Sequence, residues 1–115
     1  MKIREVCELL NAQVVARPDM LDEEVESAFG SDLMSDVIAS AHGKMLLLTG
    51  LNSPQLIRTA EITEIPVIVF VKGRCPSQEV IDMTKDRKIC LLRTDMVMYE
   101  ACGRLYQAGL APCKN

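Results

Sequence analysis

The feature that most constrains the fold is a repeat in the second half of the chain. Apolar, strand-like runs begin at Met45, Val67 and Ile89, 22 residues apart each time, and each leads through a turn into a helical pattern. Strands and helices that alternate at short, equal spacing form parallel strands joined by right-handed crossovers. A leucine-rich solenoid has similar periods, but the LxxLxL signature is missing here. The repeat therefore predicts a compact, three-layer-like α/β domain with a mainly parallel sheet.

Weaker patterns predict further elements around the repeat. Apolar residues at helical spacing indicate helices near both ends of the chain, and short apolar stretches before residue 30 indicate strands. Serine, aspartate and proline mark the expected helix starts. A helix is predicted over residues 2–11, and short strands are predicted at residues 14–15 and 25–29. Two more helices are marked by apolar faces, one by Met34, Val37, Ile38 and Ala41 with Ser31 or Asp32 as its cap, the other by Met98, Ala101, Cys102 and Leu105. Further helix starts are predicted at Ser53 with Pro54 and at Pro76.

The composition narrows the classes of function. The chain has 115 residues, a net charge of -3, two tyrosines and two phenylalanines, so it offers little to a nucleic acid. Its apolar runs are far shorter than a membrane span, and its start lacks a cleavable-signal pattern. We therefore predict a single domain over residues 1–115, with its core at about residues 14–110, located in the cytoplasm, without nucleic-acid or membrane partners.

The cysteines indicate reduced thiols rather than a disulfide framework or a zinc site. Five cysteines are an odd number, and none of their spacings forms a CxxC motif. We therefore expect no disulfide, metal or cofactor. Cys90 lies within a strand run and Cys102 lies on the apolar face of the last helix, so both are predicted to be core residues.

Candidate ligand-binding residues lie in the three turns that follow the repeated strands. In an open parallel sheet such turns meet at one edge, beside helix N-termini whose N–H groups attract anions. That edge suits a phosphate, but every parallel sheet has such turns, and neither GxGxxG nor a P-loop motif occurs here. Both interpretations remain open. The candidate residues are Thr49, Gly50, Asn52, Ser53, Lys72, Gly73, Arg74, Thr94 and Asp95, with Arg93 beside them.

A few single residues suggest chemistry of their own. A helix starting at Pro76 would favour the thiolate of Cys75, but a thiol enzyme also needs a base. The single histidine, His42, lies at the end of an earlier helix, where free carbonyls explain it better. Asp32 and Asp36 stand one turn apart in a first helical turn, where carboxylates bind metals or simply stabilise the helix. We expect no catalytic set from these residues.

The chain resembles a DRTGG domain over the stretch GSDLMSDVIASAHGKMLLLTGLNSPQLIRTAEITEIPVIVFVKGRCPSQEVIDMTKD. The cues are the SDLMSDV helix start, the strand that ends in LTG, the helix after it and the IPV entry to the next strand. The likeness runs over about residues 14–110, with Leu51 in place of the second glycine of the family's TGG. The resemblance implies a fold similar to the amino-terminal domain of HPr kinase/phosphorylase, whose kinase site lies in a separate P-loop domain.

The resemblance also implies a kind of function. DRTGG domains occur beside CBS domains in regulated pyrophosphatases, ahead of phosphotransacetylase domains, and alone near iron-hydrogenase components. In these settings the domain is regulatory or dimer-forming. We therefore predict a non-catalytic regulatory or interaction domain, a homodimer that modulates a separately encoded hydrogenase-type or other metabolic enzyme.

Two alternative functions rest on the turn residues. One is a sensor that binds an adenine nucleotide or another phosphorylated metabolite at the repeated turns, with Lys72 and Arg74 contacting the anion. The other is thiol chemistry at Cys75, for which the sequence pattern supplies no partner.

Overall fold

The computed structural model describes residues 1–113, and helices and strands alternate along them around one sheet. None of the described helices is long and apolar enough to cross a membrane. The helices are α1 (Ile3–Leu9), α2 (Met34–Ser40), α3 (Pro54–Thr63), α4 (Gln78–Asp82) and α5 (Met98–Gln107), with a short 3-10 helix at Pro18–Met20. The strands are β1 (Gln13–Ala16), β2 (Ser27–Gly30), β3 (Met45–Thr49), β4 (Val67–Phe70), β5 (Cys90–Arg93) and β6 (Ala111–Pro112).

The sheet is mainly parallel, and its strand order is β1-β5-β4-β3-β2-β6. From β5 through β4, β3 and β2 to β6, each strand pairs in parallel with the next one in the sheet. Only the edge strand β1 pairs antiparallel, with β5, among the strands of the described chain. The three strands of the sequence repeat are therefore adjacent in space, and the prediction of an α/β fold with a mainly parallel sheet is confirmed.

Helices cover both faces of the sheet, which explains the unbroken apolar runs. Leu46 and Leu48 of β3 pack in one buried cluster with Leu105 of α5. Leu47 packs in a second cluster with Ile57 of α3. Because successive side chains of a strand point to opposite faces, a strand that is covered on both sides is apolar at nearly every position. The predicted arrangement of three layers is confirmed.

The predicted start of α2 is wrong. Neither Ser31 nor Asp32 is the N-cap residue, because the helix begins after Leu33. The Ser31 hydroxyl instead accepts a hydrogen bond of 3.0 Å from the Leu33 N–H within the loop. The Asp32 carboxylate is directed toward the end of β3, where Thr49 contacts it. A residue that is well suited to cap a helix thus serves the neighbouring strand.

The predicted start of α4 is also wrong. The helix begins at Gln78, and Ser77 caps it by accepting a hydrogen bond of 3.3 Å from the Val80 N–H. Pro76 precedes this cap and lies outside the helix. Cys75 is therefore exposed in a loop rather than placed at a helix N-terminus. The helix N-terminus that was expected to favour a thiolate at this position is therefore absent.

The sequence did not indicate β6. This strand has only two residues, and it pairs with the start of β2 through Ser27 opposite Ala111 and Ala28 opposite Pro112. Proline has no N–H to donate, so it is tolerated at the edge of a sheet and gives no strand signal. The return of the chain past α5 nevertheless places this segment beside β2, where it borders a groove described below.

Candidate functional site

The carboxyl ends of β2 and β3 are joined by a network around Asp32. Its Oδ1 atom accepts hydrogen bonds from the Thr49 hydroxyl at 2.8 Å and from the Gly50 N–H at 2.7 Å. The Thr49 Oγ1 atom in turn accepts a hydrogen bond of 3.1 Å from the Leu51 N–H. Thr49 and Gly50, both predicted to contact a ligand, therefore have internal partners that order the turn before α3.

These contacts change the acidity of Asp32. The Gly50 N–H and then the Thr49 hydroxyl lower the pKa of its carboxyl group below the usual value, while partial burial opposes them. The Arg74 guanidinium favours the charged form further. Asp32 therefore keeps its negative charge at this edge, where that charge opposes the approach of a phosphate.

Asn52 joins the turn after β3 to the turn after β4. Its Nδ2 atom donates a hydrogen bond of 3.3 Å to the Cys75 carbonyl, and its Oδ1 atom accepts one of 3.0 Å from the Ser77 N–H. Ser53 is the N-cap residue of α3 and Pro54 is the first helical residue, as predicted. The Ser53 side chain makes no capping hydrogen bond.

The turn after β4 reverses through two residues in the left-handed region. Lys72 has a φ of 62° and Gly73 a φ of 69°, a conformation that glycine adopts without strain. The Lys72 N–H donates to the Met96 carbonyl at 2.6 Å and the Gly73 N–H to the Thr94 carbonyl at 2.8 Å. The main chain of this turn is thus bound to the turn after β5, and its N–H groups are not free for an anion.

The side chains of Lys72 and Arg74 are exposed on the same turn. Within residues 1–113, neither forms a hydrogen bond or a close ion pair with another side chain. Among the predicted ligand contacts, these two cationic side chains are the most accessible to a ligand. The positive charge of Arg74 lies near the carboxylate of Asp32, which offsets part of its field.

The turn after β5 is built into the fold. Thr94 is buried, and its hydroxyl donates a hydrogen bond of 2.7 Å to the Leu10 carbonyl at the end of α1. Arg93 donates to the Gly73 carbonyl at 3.2 Å and to the Gln13 side chain at 3.1 Å. Asp95 is 93% exposed and lies 3.9 Å from the guanidinium of Arg93. All three predicted turns therefore meet at the carboxyl edge of the sheet, and hydrogen bonds between the turns hold most of them together.

A different feature of the surface was missed by sequence reasoning. A mostly apolar groove of about 540 Å³ lies between α5 and strands β2 and β6. Phe29, Leu48 and Leu110 line it, and Tyr99 and Tyr106 of α5 stand at its rim. These tyrosines are 90% and 69% exposed. The sequence did contain one signal of this surface: two aromatic residues seven positions apart on a predicted helix lie on the same helical face.

The thiols differ in their surroundings. Burial, with a smaller contribution from Cys7, raises the pKa of Cys90 to about 12, and the prediction that Cys90 is a core residue is confirmed. Cys102 is half-buried: it packs against the core cluster that contains Leu105 and also borders the groove, so its prediction as a core residue is confirmed only in part. Burial also raises the pKa of the Cys102 thiol. His42 is exposed and follows the end of α2 at Ala41.

Comparison with solved structures finds a similar fold. It occurs in the CBS and DRTGG domains of the regulatory region of Clostridium perfringens pyrophosphatase, in a complex with the activator diadenosine tetraphosphate. The TM-score is 0.69 at 11% sequence identity, and the match covers 99% of this chain and 50% of that one. This chain thus spans about half the length of its structural neighbour. No protein-family model and no curated protein matches the sequence. The likeness shows a shared fold.

Proposed function

We propose that the chain is a non-catalytic regulatory domain that self-associates and controls a separately encoded enzyme. The observation that carries this proposal is the surface of α5, where Tyr99 and Tyr106 are largely exposed beside an apolar groove. Aromatic side chains are enriched at protein–protein interfaces, and an exposed apolar patch with a polar surround marks an interaction site. A surface of this kind fits a protein partner better than it fits a polar metabolite.

The fold and the sequence resemblance support the same proposal. The structural neighbour is part of an enzyme's regulatory region, and the quoted DRTGG-like stretch of this chain runs from the last residue of β2 to just past α4. We propose a single DRTGG-type domain in the cytoplasm, similar to the amino-terminal domain of HPr kinase. Its partner would be a hydrogenase-type or another metabolic enzyme.

Paired baits test the regulatory role. Tyr99→Gln and Ile62→Gln each replace a largely exposed apolar side chain, but Ile62 lies on α3, which packs on the opposite face of the sheet. The wild-type chain and Ile62→Gln are expected to recover the same enzyme from the native lysate and to change its activity equally, whereas Tyr99→Gln recovers little of it. Equal recovery by Tyr99→Gln, or an enzyme whose activity is unchanged, would contradict the proposal.

A second candidate function is a sensor of adenine nucleotides. It is favoured by the exposed cations Lys72 and Arg74 on one turn at the carboxyl edge of the sheet and by the nucleotide activator in the neighbour's structure. Thr49, Asn52 and Thr94 are engaged in internal hydrogen bonds. This candidate ranks second because the exposed groups at this edge include the carboxylate of Asp95, which a phosphate would avoid.

A further inference from the structure

We infer that the occupant of the α5 groove is a second copy of this chain, with two α5 helices crossing antiparallel at Gly103. This inference rests on the proposed self-association and adds its geometry. Tyr99, Gly103 and Tyr106 follow the spacing i, i+4, i+7, so they share one face of the helix. That face is exposed, with the glycine between the two aromatic side chains.

Gly103 has no explanation within a single copy. It lies in the interior of α5, where glycine is less stable than alanine, and an added Cβ atom would meet nothing within 4 Å. Within residues 1–113, no close contact and no left-handed backbone therefore requires glycine at this position. Close approach of another backbone does require a small residue, and the exposed face that Gly103 shares with two tyrosines is where a second helix would approach.

The charges of α5 select a second copy and an antiparallel arrangement. Glu100 and Arg104 lie one turn apart, 3.8 Å from each other, and each is about half exposed. A symmetric dimer repeats every contact twice, so an antiparallel crossing near Gly103 places Glu100 of each copy beside the other copy's Arg104. A parallel pair would place like charges together, which is unfavourable.

The same crossing fills the groove. Residues whose numbers are symmetric about a crossing point between Cys102 and Gly103 lie side by side, so Tyr99 of one copy lies beside Tyr106 of the other. The groove continues from Tyr106 toward Leu110 and Pro112. An aromatic side chain inserted into an apolar groove is the usual anchor of a protein interface, and here each copy supplies both the anchor and the groove.

Cysteine cross-linking tests the crossing point. In a Cys75→Ser background, which removes the exposed native thiol, Gly103→Cys is expected to form a disulfide-linked dimer under mild oxidation. The linked peptides, identified by mass spectrometry, should join position 103 to 103 or to Cys102. Ile62→Cys, at a position that is 79% exposed on α3, is the matched control and should remain unlinked. Equal linking of the two variants would overturn the inference.

Charge reversal gives a second test that does not depend on the space at the crossing. Glu100→Arg alone should raise the dissociation constant of the dimer about tenfold, because like charges then face each other. Adding Arg104→Glu should restore most of the affinity. A double variant as weak as the single one, or a single variant as tight as the wild type, would refute the pairing.

The outcomes separate this interface from the proposed function. If the wild-type chain remains monomeric at high micromolar concentration, both the proposed self-association and the proposed helix crossing are wrong. The groove would then bind a different protein. If a stable dimer forms but the changes at Gly103 and Glu100 do not affect it, only the helix crossing is wrong, because another surface then mediates the self-association.

Discussion

The Thr49 hydroxyl donates a hydrogen bond of 2.8 Å to the carboxylate of Asp32, and this contact joins the ends of two adjacent parallel strands. Thr49 closes β3, whereas Asp32 lies in the loop after β2. The Gly50 N–H donates to the same carboxylate oxygen. The contact gives a structural task to residues whose position at the sheet edge suggested ligand binding.

Asp32→Asn is expected to lower the free energy of unfolding by about 1 kcal/mol, because hydrogen bonds to a charged acceptor are stronger than those to a neutral one. Asp95→Asn is the matched control at the same edge, since its carboxylate is 93% exposed and lies no closer than 3.9 Å to Arg93. Urea unfolding of both variants at neutral pH measures the difference. Equal stability of the two variants would refute the role of Asp32.

The difference in stability between the wild type and Asp32→Asn should also depend on pH. The native contacts lower the pKa of Asp32, so they stabilise the fold above the unfolded pKa of about 3.9 and lose that effect as the pH falls through the native value. The stability difference between wild type and Asp32→Asn should therefore shrink as the solution is acidified below about pH 4. A difference that grows on acidification would contradict this assignment.

Thr94→Val is expected to destabilise the fold by about 1–3 kcal/mol, because it removes the buried hydroxyl bonded to the Leu10 carbonyl. Thr63→Val is the control with matching chemistry. The Thr63 hydroxyl bonds a carbonyl of its own helix and is only half-buried, so this change should cost less than about 0.5 kcal/mol. Chemical denaturation of both variants measures the contrast, and equal losses would count against an anchor at Thr94.

Much of the fold could be predicted from the sequence because the central strands are covered on both faces. The runs at Met45, Val67 and Ile89 are apolar without alternation, and their equal spacing indicates parallel crossovers. The helix starts were harder, because Asp32 and Pro76 are good start signals that the structure uses in loops. A local signal cannot show that a side chain finds a better partner on a neighbouring strand.

The candidate sites show the same limit. Sequence placed the turn residues at one edge of the sheet, but it could not show that Asn52 and Thr94 are engaged in bonds between turns. The groove depends on β6, whose two residues carry no strand pattern. Tyr99 and Tyr106 gave the only local indication of that surface. Their significance depends on how exposed the two side chains are on α5, which the structure shows.

The cysteines should react in an order set by exposure. Cys75 is exposed and should be alkylated by iodoacetamide at the rate of a thiol in an unstructured peptide. Cys90 should stay unmodified in the native protein, because it is buried and its pKa is raised to about 12. Peptide mass spectrometry after short labelling measures both. Much faster labelling of Cys75 would revive thiol chemistry there, and native labelling of Cys90 would contradict its burial.

Nucleotide binding, if it occurs at the turns, requires Lys72 and Arg74. Diadenosine tetraphosphate at 100 times its dissociation constant would stabilise the protein by about 2.7 kcal/mol, a thermal shift on the order of ten degrees. Arg74→Gln should abolish most of that shift, and Lys88→Gln, which removes an exposed cation before β5, should preserve it. If the wild-type protein shows no thermal shift, this nucleotide is not a ligand. If both variants show equal shifts, the nucleotide binds at a different site.

Sedimentation equilibrium across the micromolar range tests the central claim most directly, with the wild-type chain, Tyr99→Gln and Ile62→Gln compared under identical conditions. The two substitutions remove exposed apolar side chains of α5 and α3, so they separate the groove surface from general surface hydrophobicity. We predict a dimer for the wild type and for Ile62→Gln, and a monomer for Tyr99→Gln at the same concentration. A monomeric wild type, or a Tyr99→Gln variant that dimerises as tightly as the wild type, would contradict the account.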